Sequence, residues 1–418
     1  MEILLKRRFL ISVILVVGSL SHAQEWTRFR GPNGQGISDA NAIPVPWTDQ
    51  QLNWKIKLPG GGHGSPVVWG NTVFVTCDDA GTPGARLLAL NAADGSLRWR
   101  QFCSLPAYKF HNDNSYATGT PCVDADQVYV LWQSSEQSIL AAFDHDGQPK
   151  WRRLFGSTHS RFGPGTSPML HEDLVIFTLE QQAGGPNAQG QWLALDRKTG
   201  ETRWTIPRNN REISYSTPCV FRPASGASQL LFNSWAHGIT GVDPVKGIVL
   251  WGASETLPAR VVSSPVLCED LVISTCGKGG GGTQLSAVQI PAGGQGTPEL
   301  VYSRTGKTVP YVPTCLAKDD LLFAYHDNGR VTCMRVSTGE PLWSEKPAAR
   351  FYGSPVWVDG WLYCMDRKGN LVVLEASATY KLLAVHSLGE KTHATPAVSG
   401  GRMYLRTYSH LISVGGQE

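Results

Sequence analysis

The sequence predicts an all-β fold, an eight-bladed propeller of four-stranded antiparallel blades whose last blade is closed by an N-terminal strand. Three observations carry this. A hairpin segment ending in tryptophan recurs along the chain. A hydroxyl residue followed by proline marks the start of each unit, with successive markers 41 to 55 residues apart. The final unit lacks a strand that is left over at the other end of the chain. Composition agrees, since 45 Gly, 26 Pro and 14 Trp in 418 residues suit many short strands joined by turns.

The hairpin segment is clearest at residues 194–204, A-L-D-R-K-T-G-E-T-R-W. Two apolar residues end a strand, and Asp196 can accept backbone N–H groups two residues on. Gly200 can take the positive φ of a tight turn, and the next strand delivers Trp204. Related segments occupy residues 89–99, 142–151, 242–251 and 334–343, ending in Trp99, Trp151, Trp251 and Trp343.

The hydroxyl-proline marker sets the phase at Ser65, Thr120, Ser167, Thr217, Ser264, Ser354 and Thr395, each followed by proline, with Pro313-Thr314 as a permuted relative. Proline is tolerated there because the first strand position needs no ladder hydrogen bond. A period of this size in β-rich units with a tryptophan per unit favours a propeller. After the marker each unit reads as strand A, a short polar turn, strand B, a variable loop, strand C and a tryptophan-bearing strand D. The eighth unit runs through A, B and C and then stops. The orphan strand at residues 52–58, carrying Trp54, supplies its D and removes an exposed sheet edge. The fifth unit has Tyr302 in place of tryptophan and the seventh has Val385 or His386, so those two blades are expected to pack less regularly at the rim.

Residues 1–23 read as a signal peptide: Lys6, Arg7 and Arg8 precede an apolar run at 9–20, and Ser21-His22-Ala23 presents small residues for cleavage after Ala23. A periplasmic or secreted protein with no stable transmembrane segment is expected. Residues 24–50, with Trp26, Phe29 and Trp47, are expected to form an irregular arm packed on the ring that residues 51–418 build. Without the leader, 34 basic and 33 acidic residues leave a formal charge of +1, which gives no electrostatic argument for nucleic acid. Nine scattered cysteines, with Cys122, Cys219 and Cys315 at equivalent repeat positions, point to mostly free, buried thiols.

In a propeller the D-to-A and B-to-C loops share one face. Here they are the long, varied ones, which marks that face as functional. Three residues before the second residue of each marker (Pro66, Pro121, Pro168, Pro218, Pro265, Thr314, Pro355 and Pro396) the chain should enter the central mouth, at His63, Thr118, Gly165, Tyr215, Val262, Tyr311, Tyr352 and His393. His63, Tyr215, Tyr311, Tyr352 and His393 are the candidate ligand-binding residues, able to stack on a ring or hydrogen-bond a polar group; side chains filling the hole are the competing expectation. The marker hydroxyls are turn residues, with no assigned base to make them nucleophiles. His111-Asn112-Asp113-Asn114 and His326-Asp327-Asn328 offer too few ligands in one turn for a metal site, so no catalytic and no metal residues are expected. Arg28, Arg30, Arg161, Arg211, Arg260, Arg304 and Arg350 precede blade starts and are expected at solvated rim positions.

The A-x-D-x-x-T-G-x-x-x-W segment, fully matched at 194–204 and approximately at 89–99, resembles the tryptophan-docking repeat of the pyrroloquinoline-quinone (PQQ) type propellers. The resemblance spans nearly the whole mature chain. It implies that Trp54, Trp99, Trp151, Trp204, Trp251 and Trp343 pack between neighbouring blades and lock the ring. Two branches follow from it. The quinoprotein alcohol and sugar dehydrogenases hold PQQ with calcium on the axis, commonly beside a vicinal disulfide, which this chain lacks. The other branch is the non-enzymatic, BamB-like propellers of the cell envelope. The expectation is a monomeric, non-catalytic exported scaffold or ligand-binding module, without a cofactor, holding envelope proteins or peptides on the loop-rich face. A quinone-dependent dehydrogenase with a degenerate site is the alternative.

Overall fold

The structure is a computed structural model describing residues 25–416, apart from 42, 46, 80, 185–188, 210, 211, 280, 307 and 308. The signal peptide expected at 1–23 and Arg211 lie outside the described residues. No helix among the described residues is long and apolar enough to cross a membrane.

Eight blades of four antiparallel strands form the ring, the seventh extended by a short parallel strand from the N-terminal arm, and seven of them are built from consecutive strands: residues 67–104, 122–155, 169–208, 219–253, 266–305, 316–345 and 356–387. These are blades 1 to 7. Blade 8 combines Ala397–Ser399, Arg402–Arg406 and His410–Gly415 with Leu52–Lys57, which pairs antiparallel with the last of them, Trp54 opposite Ser413. The ends of the chain therefore close the ring by hydrogen bonds.

Each outer strand carries one β-bulge just before the docking ring, as between the pairs Ala194↔Trp204 and Leu195↔Thr202, where Arg203 is left over. A bulge re-aims the next side chain, here across the gap to the following blade. Asp196 accepts Lys198 N–H and Thr199 N–H at 2.9 Å, shaping the turn. Gly200 closes it at φ 72°, and a Cβ there would come within 2.7 Å of the Trp151 ring. The aspartate-glycine turn of one blade is thus the socket for the tryptophan of the blade before it. Trp54, Trp99, Trp151, Trp204 and Trp343 donate Nε1–H to carbonyls of Ala92, His145, Arg197, Pro244 and Ser377 at 2.7–3.1 Å.

Three blades vary this scheme. Tyr302 places its ring over Gly339 and donates its hydroxyl to the Val336 carbonyl at 2.7 Å, so blade 5 docks as the tryptophan blades do, against the expectation of a looser rim. Blade 5 has no aspartate-glycine turn to receive Trp251. Gln229 bridges the difference, accepting from Trp251 Nε1 at 2.7 Å and donating to the Gly294 carbonyl at 2.8 Å. In blade 7 the register puts Ala384, rather than Val385 or His386, opposite Val373 at the tryptophan position. His386 instead stacks on Trp47 of the N-terminal arm, ring centroids 4.2 Å apart.

The arm itself runs through the centre of the ring. The eight strands A are the inner edges of their sheets, with backbone groups that need partners. The arm supplies them: Trp26 bridges Val68, Thr27 O accepts Val123 N–H, Asn33 Oδ1 accepts Val220 N–H, Gln35 Oε1 accepts Leu267 N–H and Gly36 O accepts Trp357 N–H. Each of these five strand positions lies three residues past its marker hydroxyl, about 10 Å along the strand. Ile37–Ser38 then pairs parallel with Trp357 and Val358. Trp26 and Arg30 are both 0% exposed. Arg28 donates to the Pro218 carbonyl at 2.5 Å and Arg30 to the Cys315 carbonyl at 2.8 Å. Burial lowers both guanidinium pKa values to about 10, which leaves them charged. Expected as solvated rim arginines, these two are axial anchors. All nine cysteines are free, and Cys122, Cys219 and Cys315 surround the arm as buried thiols.

Candidate functional site

The marker residues form a ring of hydroxyls above the arm. Ser65 N–H donates to Thr120 Oγ1, Thr120 N–H to Ser167 Oγ, and Thr217, Ser264, Thr314, Ser354 and Thr395 continue the pattern back to Ser65, at 2.9–3.1 Å. Seven of the eight blade junctions are stitched in this way. Each bond uses a lone pair of the hydroxyl oxygen and leaves its O–H able to donate. Among the described residues no ring hydroxyl bonds an imidazole or carboxylate, so none is set up as a nucleophile.

Above this ring lies a cavity of about 710 Å³ that opens on the loop-rich face. Phe29, between the two buried arginines, lies at its base, and the arm closes the axis below. All eight mouth positions named from the sequence line it: His63, Thr118, Gly165, Tyr215, Val262, Tyr311, Tyr352 and His393. They line the hole without filling it. In blade 6 the hydroxyl register aligns Val312 with the other seven, so Tyr311 sits one residue out of phase and still reaches the cavity.

The two sides of the cavity differ. On the side of blades 7, 8 and 1, His63 and His393 stack with centroids 4.3 Å apart, and Tyr352 meets His393 edge-on. Arg367 lies over the Tyr352 ring at 4.1 Å, donates Nε–H to His393 Nε2 at 3.2 Å and pairs with Asp113. His393 is then an acceptor at Nε2 and carries its proton on Nδ1. Burial, followed by the Arg367 charge, brings its pKa down to about 4; burial and the neighbouring His393 push His63 well below the usual value. Both imidazoles are neutral at neutral pH.

On the side of blades 3 to 6, Arg260 lies 3.9 Å from the Phe162 centroid and 5.4 Å from that of Tyr311, to whose hydroxyl it donates. Glu212 is shared by Arg260 and Arg161, each at 3.5 Å. Asp327 accepts the Tyr311 and Val312 N–H groups at 2.8 and 3.2 Å and holds that wall in place. Burial raises the Tyr215 and Tyr311 phenols to about 12, so neither serves as a base near neutrality.

Sequence reasoning missed Arg367, which sits in a polar B-to-C turn like many others, and missed Phe29, whose place depends on the arm's path. Arg260, with a side chain only 15% exposed, belongs to the cavity and not to a solvated rim; Arg161 lines the cavity mouth and is solvated there, and Arg304 lies on an outer strand and caps the next turn through Thr338 O and Gly339 O.

A quinone with calcium would need oxygen ligands gathered around the metal. Among the described residues no three His, Cys, Asp or Glu side chains come together in a way that could hold a metal ion. The cavity's carboxylates, Asp113 and Glu212, are each engaged by arginine. The residues present do not build that site.

Comparison with known proteins matches a family described as outer membrane protein assembly factor BamB over residues 45–232, 188–356 and 327–415. The chain belongs to this BamB family of β-propellers. A Yersinia pestis BamB is 21% identical over 355 residues, covering 78% of this chain and 80% of that protein. The crystal structure of BamB from Moraxella catarrhalis superposes with a TM-score of 0.62 at 15% identity, over 87% of this chain and 96% of that one. A quinohemoprotein alcohol dehydrogenase from Pseudomonas putida also matches, with a TM-score of 0.55 at 13% identity over 94% of this chain and 81% of that one. At such identities the structural likenesses concern the fold alone.

Proposed function

We propose that this chain is an exported, BamB-like propeller of the cell envelope that works by binding, with its loop-rich face and axial cavity as the working surface. The observation that carries this is the cavity's chemistry: its carboxylates are paired with arginines, its ring hydroxyls meet no imidazole or carboxylate that could act as a base, its imidazoles are neutral, and it is open. Such a site can hold a partner group without being set up to transform it. Family membership supports an envelope role, and the apolar segment at 9–20 supports export.

The quinone-dependent dehydrogenase remains the second reading because the axis holds about 710 Å³ of open space. One experiment separates the two. The purified protein is mixed with PQQ and calcium, passed through gel filtration and assayed for dye reduction with alcohols and sugars. The binding reading expects the chromophore to separate from the protein. A stable one-to-one coloured complex that reduces dye overturns it. In parallel, chemical crosslinking in the intact envelope should join residues of the 102–116 and 155–165 loops to a defined protein partner.

A further inference from the structure

We infer that the axial cavity takes a small organic acid, its carboxylate bound on the side of Arg260 and Lys278 and its body resting over Phe29; this depends on the binding reading above. Charge makes the first case. On that side Arg161, Arg260 and Lys278 face a single carboxylate, Glu212. Lys278 ends an exposed strand tip, and no carboxylate among the described residues pairs with it. This part of the lining therefore carries three positive charges against one negative, with Glu212 shared by two of them, and an anion would offset the excess.

Unspent hydrogen bonds make the second case. The ring hydroxyls that accept backbone N–H groups keep their O–H donors, six of them around the cavity at Ser65, Thr120, Ser167, Thr314, Ser354 and Thr395. His63, only 7% exposed, lines the same cavity and its Nδ1 is buried with no partner. A buried polar atom without a partner is costly, and in the tautomer that carries its proton there this nitrogen is a further donor for a ligand oxygen. The groups that could accept instead, Asp113 and Glu212, are already taken by Arg367 and by Arg161 with Arg260. With its two carboxylates engaged by arginine and its cations in excess, the site favours an acceptor-rich anion over a cation or a neutral amine.

Phe29 and Trp235 add apolar surface to the lining, where a carbon skeleton would rest. The same chemistry fits an aryl acid or a sugar acid. Isothermal titration of the full chain with phenylacetate against phenylacetamide, and with galacturonate against galactose, distinguishes these sources while holding shape nearly constant within each pair.

In at least one pair the acid should bind one-to-one and about tenfold or more tighter than its neutral counterpart. Lys278→Gln should weaken the acid by about tenfold and leave the neutral compound unchanged. Val262→Trp, which fills the cavity from its wall, should abolish binding with the unfolding midpoint preserved. Neutral compounds binding as well as both acids, or acid binding that survives Val262→Trp, would overturn the inference. Failure here with a partner still crosslinked in the envelope removes only the ligand class, whereas quinone loading removes the binding reading itself.

Discussion

Around the rim, a ring from one blade enters the turn of the next by one repeated contact, a donor on Trp54, Trp99, Trp151, Trp204, Tyr302 or Trp343 reaching a backbone carbonyl at 2.7–3.1 Å. Along the axis, residues 26–38 meet the inner strands with a different group nearly every time: a backbone bridge, an asparagine amide, a glutamine oxygen, two guanidinium groups. The rim is specified many times over and tolerates substitutes such as Tyr302 and Gln229. The axis is specified once. A lesion at the rim should stay local to one junction, while a lesion in the arm should loosen many blades together and disturb the cavity above it.

The largest effect is therefore expected for Trp26→Ala. The side chain is 0% exposed and packs under Gly31, where a Cβ would come within 2.5 Å of its ring. Loss of a fully buried tryptophan costs about 3–5 kcal/mol. Urea unfolding should show that loss, and hydrogen exchange should rise in the inner strands of several blades at once. Protection lost in blade 1 alone would remove the distinction between axis and rim.

The cavity wall is predicted to respond to acid. His393 has a folded pKa of about 4 against an ordinary 6.5, and His63 is lowered as well. Between pH 6.5 and about 4 the unfolded chain thus binds more protons at these sites, and stability falls as pH drops through that window. Asp78 acts in the opposite sense: burial raises it to about 6 from 3.8, so acid protonates the folded carboxyl first and favours the folded state there. His393→Gln keeps an acceptor for Arg367 and removes the imidazole. The wild-type chain should lose stability relative to this variant across the window, by at most about 1.4 kcal/mol per pH unit per group. Parallel urea-unfolding curves for the two would show that the imidazole wall is indifferent to protons.

What could be read in advance follows the same division. The repeated features were legible because each copy tests the others: the blade count, the closing strand at Trp54 and seven of the eight mouth positions come from one phase applied around the ring, Tyr311 standing one residue off it. Features that occur once were not. The arm has no period, so nothing in Trp26, Arg28 or Arg30 tells a buried axial path from a surface one. Arg367 sits in an Asp-Arg-Lys-Gly turn with no mark of its own, yet it joins Asp113, Tyr352 and His393. Near-repeats misled in the other direction. Tyr302 was set apart for lacking an indole, although a phenol hydroxyl reaches the same carbonyl, and counting placed Val385 or His386 where the bulge puts Ala384.

Gln229 tests how far the rim can be rewired. It is 3% exposed and makes the only link described between Trp251 and the turn of blade 5. Gln229→Leu keeps much of the volume but leaves the indole N–H and the Gly294 carbonyl without partners, at a cost of about 2 kcal/mol. The exchange increase should stop at the junction of blades 4 and 5. Spread to the axis would mean that rim contacts are coupled through the arm.

Tyr302→Phe should have the smallest effect and gives the finest comparison between a tryptophan junction and its substitute. The ring stays over Gly339, where a Cβ would come within 2.4 Å of it, so the packing part of the contact survives. Only the hydroxyl bond to the Val336 carbonyl is lost, and one hydrogen bond of this kind contributes about 1 kcal/mol. Trp99→Phe at a standard junction removes the bond to the His145 carbonyl and part of the ring as well. It should cost more, because indole area against the turn is lost together with the donor. If both variants lose the same stability in urea, the carbonyl bond carries the rim contact and ring size is secondary. If Tyr302→Phe is silent while Trp99→Phe is not, the ring in its glycine socket carries the contact, and a tyrosine serves there mainly because it is flat.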